Sequence, residues 1–129
     1  MCTEQESGKT ESLLRGLRIE PVDNWHAQWG NVLAEIELAG QRQALSIDLD
    51  GWLSARQVLL VAFNETQVAG HICFGITPIS DEGGQVIVQA HLDAFGVKPG
   101  FETLEIGPAL KQAAQQRAEA LKCSRFIGF

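Results

Sequence analysis

The segment from Gly96 to Ala118, GVKPGFETLEIGPALKQAAQQRA, contains the residue types that bind an anion in many enzymes. An extended stretch leads through a turn rich in glycine and proline into a helical pattern. Free backbone N–H groups at a helix start attract negative charge. The same segment carries Glu102 and Glu105, which would repel a phosphate group. The sequence therefore leaves two alternatives open: the loop binds an anion, or its own carboxylates fill the site.

The other ionisable residues that could take part in catalysis are spread along the chain. Of His26, His71 and His91, only His91 has a neighbour at metal-binding spacing, which is Asp93. Two ligands on one strand do not complete a metal site, so we predict no metal. The three cysteines include no Cys-x-x-Cys pair, which indicates neither a zinc site nor a disulfide framework.

Composition limits the number of domains and the class of partner. The 129 residues, of which 45% are hydrophobic, suffice for one domain with a single core. We expect that domain over 13–129, preceded by a disordered polar tail over 1–12. With 10 Lys+Arg against 16 Asp+Glu, the net charge of −6 disfavours binding to nucleic acid and to anionic membranes.

The sequence contains neither a membrane-span pattern nor a signal-peptide pattern. No run approaches the ~18 apolar residues that a span needs. The first residues, MCTEQESGKTES, lack the apolar core of a signal peptide. We therefore expect a cytoplasmic protein.

The first half of the chain predicts a strand followed by a helix. Leu17 and Ile19 alternate with polar residues, and Pro21 ends this strand. Asp23 or Asn24 can cap the helix that follows, which has apolar residues on one face. The apolar positions of that face are Trp25, Trp29, Val32, Leu33 and Ile36. The stretch 41–55 fits either a strand or a helix, and we predict a short helix there.

The second half predicts an antiparallel hairpin, a long strand, a helix and a last strand. The β-rich runs QVLLVAFN and QVAGHICFGITP flank Glu65 and Thr66, and Pro78 ends the second run. QVIVQAHLDAFGV reads as the long strand, and a helix starts near Gly107 or Pro108 before the last strand, CSRFIGF. This order predicts an α/β (α+β) fold, in which helices cover both faces of a mixed, mostly antiparallel sheet.

Three of these segments together resemble the GCN5-related N-acetyltransferase (GNAT) superfamily. The hairpin LLVAFNETQVAGHI has Gly70 where the family commonly has glycine. LDAFGVKPGF is similar to the family pattern Leu-acid-x-apolar-x-Val-x-Pro-x-aromatic, and EIGPAL with AAQQRAEALKC is similar to its Gly-Ile-Gly-x-x-Leu helix start and alanine-rich helix. The resemblance covers about Leu17 to Phe129 and implies an acyl-CoA N-acyltransferase-like sheet.

The resemblance implies that acetyl-CoA is the acyl donor and assigns residues to it. Backbone N–H groups of the loop would hold its pyrophosphate. The loop residues so implied are Glu102, Thr103, Leu104, Glu105, Ile106 and Gly107. The strand ending at Val97 would separate from the last strand, so that the backbone of Phe95, Gly96 and Val97 pairs with the pantetheine arm.

The same chemistry needs a base that takes a proton from an acceptor amine. Asp93 is the first candidate and Glu65 the second, on position alone, and an equally good alternative is that both carboxylates face solvent. The family commonly uses a tyrosine to protonate the leaving thiolate, but this chain has none. Cys123, Ser124 or water would have to supply that proton.

The chain departs from the family pattern at the anion-binding loop. The family usually has Arg or Gln, and then Gly, where this chain has Glu102 and Glu105, and Pro108 removes an amide. Two charges ~5 Å apart repel by about 0.8 kcal/mol in water and roughly 3 kcal/mol at an effective dielectric constant of about 20. Attraction by a helix terminus is only about 0.3–2 kcal/mol, so two inward carboxylates would cancel it.

The sequence also stops where the family continues with a helix and further strands. An open strand edge is therefore expected at the last strand. Such an edge needs a cover. We predict that the protein is a homodimer.

Two functions are consistent with these features. The first is an N-acetyltransferase-like protein that transfers an acetyl group from acetyl-CoA to an amine of a small molecule or protein. The second is a degenerate, non-catalytic binding or regulatory module, which the two glutamates, the missing tyrosine and the short C-terminus favour. We favour the enzyme.

Overall fold

A computed structural model describes residues 16–129, so the predicted tail over 1–12 lies outside the described residues. The helices and strands in chain order are β1 (Leu17–Pro21), α1 (Trp29–Leu38), β2 (Gln57–Asn64), β3 (Gln67–Ser80), β4 (Val86–Val97), α2 (Ile106–Ala120) and β5 (Arg125–Ile127). Short 3-10 turns occur at Arg42–Ala44 and Glu102–Leu104.

The strands of the described region form one five-stranded sheet whose spatial order follows the chain, β1-β2-β3-β4-β5. Neighbours from β1 to β4 are antiparallel, and β4 and β5 are parallel. A parallel neighbour requires a crossover connection, which α2 supplies. The predicted mixed, mostly antiparallel sheet is confirmed.

The two helices cover opposite faces of this sheet. Side chains alternate between the faces of a strand, so β2 places Leu60 in the core under α2 and Val61 in the core under α1. Leu110 of α2 and Val32 of α1 are fully buried in these two cores. Within residues 16–129, neither helix has the length and apolar character that crossing a bilayer requires.

The predicted short helix over 41–55 is wrong. This stretch contains only the 3-10 turn Arg42–Ala44, followed by an isolated antiparallel bridge between Ile47 and Leu53. The Asp48 carboxylate accepts two backbone N–H groups of the intervening turn, at 2.9 and 3.0 Å. Such local side-chain bonds compete with helix formation.

The start of the first helix also differs from the prediction. Neither Asp23 nor Asn24 caps α1, which begins at Trp29. The Asp23 carboxylate instead accepts the N–H of Trp25 at 2.9 Å, in a turn that precedes the helix. Trp25 is consequently 77% exposed and packs against Trp52 with 5.4 Å between ring centroids.

β3 does not end at Pro78, as the sequence suggested, but continues to Ser80. Beyond Gly75, β3 pairs only with β4, because β2 does not reach this far. The N–H of Ile76 points to the β2 side, where it donates to the carbonyl of Arg56 at 2.8 Å. The nitrogen of Pro78, two residues later, faces the same open side, so its missing N–H costs no sheet hydrogen bond.

Candidate functional site

β4 separates from β5 after a short contact. β5 pairs only with Gln89 to His91, whereas β4 continues to Val97. The N–H of Lys98 donates to the carbonyl of Ala69 on β3 at 2.8 Å. Because bonding direction alternates along an antiparallel strand, the backbone groups of Phe95 and Val97 point away from β3. No strand within residues 16–129 pairs with this side of 92–97, which we call the exposed edge.

Gln41 connects the exposed edge to a buried histidine on the α1 face. Its Nε2 donates to the carbonyl of Phe95 at 2.9 Å. Its Oε1 lies 2.6 Å from Nε2 of His71. Because an amide oxygen only accepts, His71 donates from Nε2 and keeps a lone pair on Nδ1. Burial lowers the pKa of His71 to about 4, so the ring is neutral at physiological pH.

His71 lines a cavity of about 350 Å³ near the end of β4. Most other wall residues are apolar, among them Leu38 and Val97. The charged wall residues Glu35 and Lys98 pair with each other at 3.1 Å. This cavity suits the apolar part of a ligand.

A second cavity, of about 310 Å³, contains a hydrogen-bonded chain of four side chains. Gln57 Nε2 donates to Asp93 Oδ2 at 2.9 Å. Asp93 Oδ1 lies 2.8 Å from His91 Nδ1, and His91 Nε2 lies 3.1 Å from Thr77 Oγ1. A methyl group on Gly75 would overlap the His91 ring, so glycine at this position makes room for the chain.

The partners of His91 fix which of its nitrogens carries the proton. An ionised carboxylate only accepts, so His91 donates from Nδ1 to Asp93. Nε2 then accepts from the Thr77 hydroxyl and can take up a proton. Asp93 lies at a β-bulge, where the pairing of β3 and β4 shifts by one residue. Bulges of this kind re-aim side chains and are frequent next to active sites.

The two predicted bases lie in different places. Asp93 lines the second cavity, whereas Glu65 is an exposed residue of the β2–β3 turn, with φ of 57°, and lines neither cavity. Both oxygens of Asp93 already accept hydrogen bonds, so the group placed to receive a further proton is His91. The sequence indicated His91 only as a potential metal ligand, because its contact with Thr77 depends on strand register.

The loop before α2 contains both glutamates. Glu102 Oε2 accepts the N–H of Gly100 at 2.9 Å, so a carboxylate occupies one backbone donor of the loop. Glu105 is exposed and has a left-handed backbone, with φ of 56°, directly before the helix. Thr103 and Leu104 complete the 3-10 turn, and Leu104 packs against the core under α2.

The start of α2 offers two backbone donors. The first helical bond runs from the N–H of Ala109 to the carbonyl of Glu105, at 3.3 Å. The amides of Ile106 and Gly107 precede this ladder, and Pro108 has no N–H. The Ile106 side chain is fully buried, which fixes the position of the helix start.

Lys111 places a positive charge beside the exposed edge. Its Nζ lies 5.0 Å from the centroid of the Phe95 ring. Lys111 follows Gly107 by one helical turn and therefore lies on the same helix face. In the part of the chain that the structure describes, no three His, Cys, Asp or Glu side chains are grouped to hold a metal ion.

Comparison with known proteins gives matches among solved structures. The sequence matches no family model and no curated protein. An aminoglycoside antibiotic 6'-N-acetyltransferase from Acinetobacter baumannii is 22% identical, with a TM-score of 0.59, covering 87% of this chain and 78% of that one. A ribosomal-protein-alanine N-acetyltransferase from Brucella melitensis is 19% identical, with a TM-score of 0.63, covering 88% and 79%.

A third similar structure is AAC(6')-Iy in complex with the bisubstrate analogue CoA-S-monomethyl-acetylneamine. It is 13% identical, with a TM-score of 0.60, and the match covers 86% of this chain and 77% of that one. Identities this low establish the fold and leave the substrate unassigned. The chain has the fold of the GCN5-related N-acetyltransferases.

Proposed function

We propose that the protein transfers an acetyl group from acetyl-CoA to an amine. The observation that carries this proposal is the exposed edge of β4, which ends at the loop leading into α2. An extended thioester arm can add to such an edge by backbone hydrogen bonds. The similarity to acetyltransferases, one of them bound to a coenzyme A analogue, supports the same donor.

The chain offers a binding group for each part of the donor. The backbone of Phe95, Gly96 and Val97 would pair with the pantetheine arm. Gln41 would have to give up its hydrogen bond to the Phe95 carbonyl for the arm to pair with that carbonyl. The amides of Ile106 and Gly107 would hold the pyrophosphate at the helix start. The Lys111 ammonium would offset part of the charge of the glutamates.

The transfer forms one C–N bond and breaks one C–S bond. An amine in the second cavity attacks the thioester carbonyl, and His91 takes the amine proton on Nε2. Asp93 stabilises the imidazolium that results, so it acts through His91. The leaving thiolate takes a proton from water, and the His91 imidazolium returns its proton to the solvent. Burial raises the pKa of the Cys123 thiol and makes it a poorer donor.

Titration calorimetry with acetyl-CoA tests the donor site. We expect binding, and we expect Glu102→Gln and Glu105→Gly each to tighten it by about 1 kcal/mol, roughly fivefold, because each removes one negative charge near the phosphates. Glu119→Gln, near the far end of α2, is the matched control and should leave the affinity unchanged. No binding at millimolar acetyl-CoA, in the wild type or in the variants, would rule the proposal out.

A second candidate function is a non-catalytic binding module. The contact between Glu102 and the Gly100 amide favours it, because the protein's own carboxylate then occupies the anion-binding loop. A module of this kind would fail to bind acetyl-CoA even as Glu102→Gln, so the same titration separates the two functions.

A further inference from the structure

We propose that the acceptor is a compact amine that also carries a carboxylate, as an amino acid does. This inference rests on the proposed function, because it names the substrate of the same site. The second cavity measures about 310 Å³. That volume lies at the lower end of the range of ligand pockets, which favours a small acceptor.

We assign the positive pole of this cavity to Arg56, an exposed residue. It lines the cavity, and none of the ion pairs within residues 16–129 involves it. Two hydrogen bonds hold its backbone. Its N–H donates to the Ser54 hydroxyl oxygen at 3.1 Å, and its carbonyl accepts the N–H of Ile76 at 2.8 Å. A guanidinium group without a partner is suited to two parallel hydrogen bonds with a carboxylate.

Asp93 supplies the negative pole. Each of its oxygens accepts one hydrogen bond, from His91 or from Gln57, and each retains a lone pair. An ammonium or amine group is favoured beside this carboxylate, within reach of His91. The cavity thus has one carboxylate and one guanidinium group, which match the two charges of an amino acid.

The remaining lining supports a small polar ligand. Three residues with hydroxyl groups also line the cavity, and such groups can donate to or accept from a polar side chain. They belong to Ser46, Ser54 and Thr77. A polycationic amine would bring several positive charges close to Arg56 with a single carboxylate to compensate them, so repulsion disfavours it.

Matched pairs of acceptors test the inference. We would measure acetylation of L-alanine and L-serine against L-alaninamide and L-serinamide by release of the coenzyme A thiol. Loss of a charge-assisted hydrogen bond costs about ten- to a hundredfold, so we expect kcat/KM for the acids to exceed that for the amides by about that factor. In Arg56→Gln, the acid-to-amide ratio should fall by about the same factor relative to the wild type.

Conversion of the acid to its amide also changes the pKa of the substrate amine, which alters kcat/KM without any contact to Arg56. The decisive result is therefore the change in the acid-to-amide ratio from wild type to variant. Arg56→Lys, which keeps the charge but loses the planar fork, should give an intermediate ratio. Arg125→Gln, a change at an exposed arginine of β5, should leave the ratio as in the wild type. An acid-to-amide ratio in Arg56→Gln equal to that of the wild type would overturn the inference.

Measuring acceptor binding in the absence of acetyl-CoA separates this inference from the proposed function. Saturation-transfer NMR with L-serine and L-serinamide reports on the cavity alone. If acetyl-CoA fails to bind but L-serine binds in an Arg56-dependent manner, the proposed function fails and the carboxylate site stands. If neither compound binds at millimolar concentration, or if the polycationic aminoglycoside sisomicin binds more tightly than L-serine, the inference is wrong.

Discussion

His71 and His91 lie on the same face of the sheet in different surroundings. His71 is 4% exposed and hydrogen-bonded to an amide, whereas the side chain of His91 is 34% exposed and lies against a carboxylate. The amide neighbour gives His71 no compensation for a positive charge. His91 is hydrogen-bonded to the Asp93 carboxylate, which would stabilise the imidazolium of the proposed transfer.

The burial of His71 predicts a pH dependence of stability. Its pKa falls from 6.5 to about 4 on folding, so between these values the unfolded chain binds the proton more tightly. The free energy of unfolding should therefore decrease as the pH falls through this window, by up to about 3 kcal/mol, and this contribution should be constant above it. Chemical denaturation from pH ~4.5 to ~7.5 measures the effect.

His71→Gln provides the comparison for that experiment, because glutamine does not titrate. The difference in unfolding free energy between wild type and variant should shrink toward low pH. Parallel curves for the two proteins across the whole window would contradict the assignment.

At the level of secondary-structure elements, Gly70 determines how closely α2 approaches the sheet. A Cβ atom at Gly70 would lie 2.9 Å from the carbonyl oxygen of Gly96 and 3.1 Å from side-chain atoms of Ile106 and Leu110. These neighbours are backbone or fully buried, so none of them can move away cheaply. The exposed edge and the start of α2 thus depend on the same glycine.

Gly70→Ala should destabilise the protein by about 1–3 kcal/mol through overpacking. Gly30→Ala in α1 is the matched control. A Cβ there meets nothing within 4 Å, so helix propensity should stabilise that variant by about 0.5 kcal/mol. Thermal unfolding of both variants tests this pair, and equal melting temperatures would refute the packing argument.

Most elements follow from local sequence patterns, but the side-chain contacts within the candidate site do not. The hairpin around Glu65, the long strand and the last helix follow from apolar periodicity and turn residues. The stretch 41–55 misled the prediction because the Asp48 carboxylate bends the chain there. The contact between His91 and Thr77 depends on the register of β3 and β4, which residue spacing along the chain does not give. The same holds for the position of Arg56 beside the cavity.

At the level of the whole molecule, β5 has a neighbour on one side only. No strand within residues 16–129 pairs with its outer edge, and its Ile127 side chain is 50% exposed. Unpaired strand edges tend to be covered by another chain. The homodimer predicted from the sequence would cover this edge.

Sedimentation velocity should show a particle of about twice the 14.1 kDa mass of the chain. Ile127→Lys should shift the protein toward the monomer, because a charge on an edge strand opposes pairing. Val86→Lys, at an exposed apolar residue that begins β4, is the matched control and should leave the dimer intact. A wild-type monomer at high concentration would show that β5 pairs with no second copy.

The proline within β3 has a consequence for aggregation. β3 extends past β2 and presents a further row of backbone groups that no strand within residues 16–129 pairs with, and such a row can recruit strands of other molecules into a growing fibre. Pro78 interrupts this row because it offers no N–H, and its ring obstructs an approaching strand. The same chain can therefore keep the outer edge of β5 open for specific contacts while the overhanging end of β3 is protected against uncontrolled polymerisation.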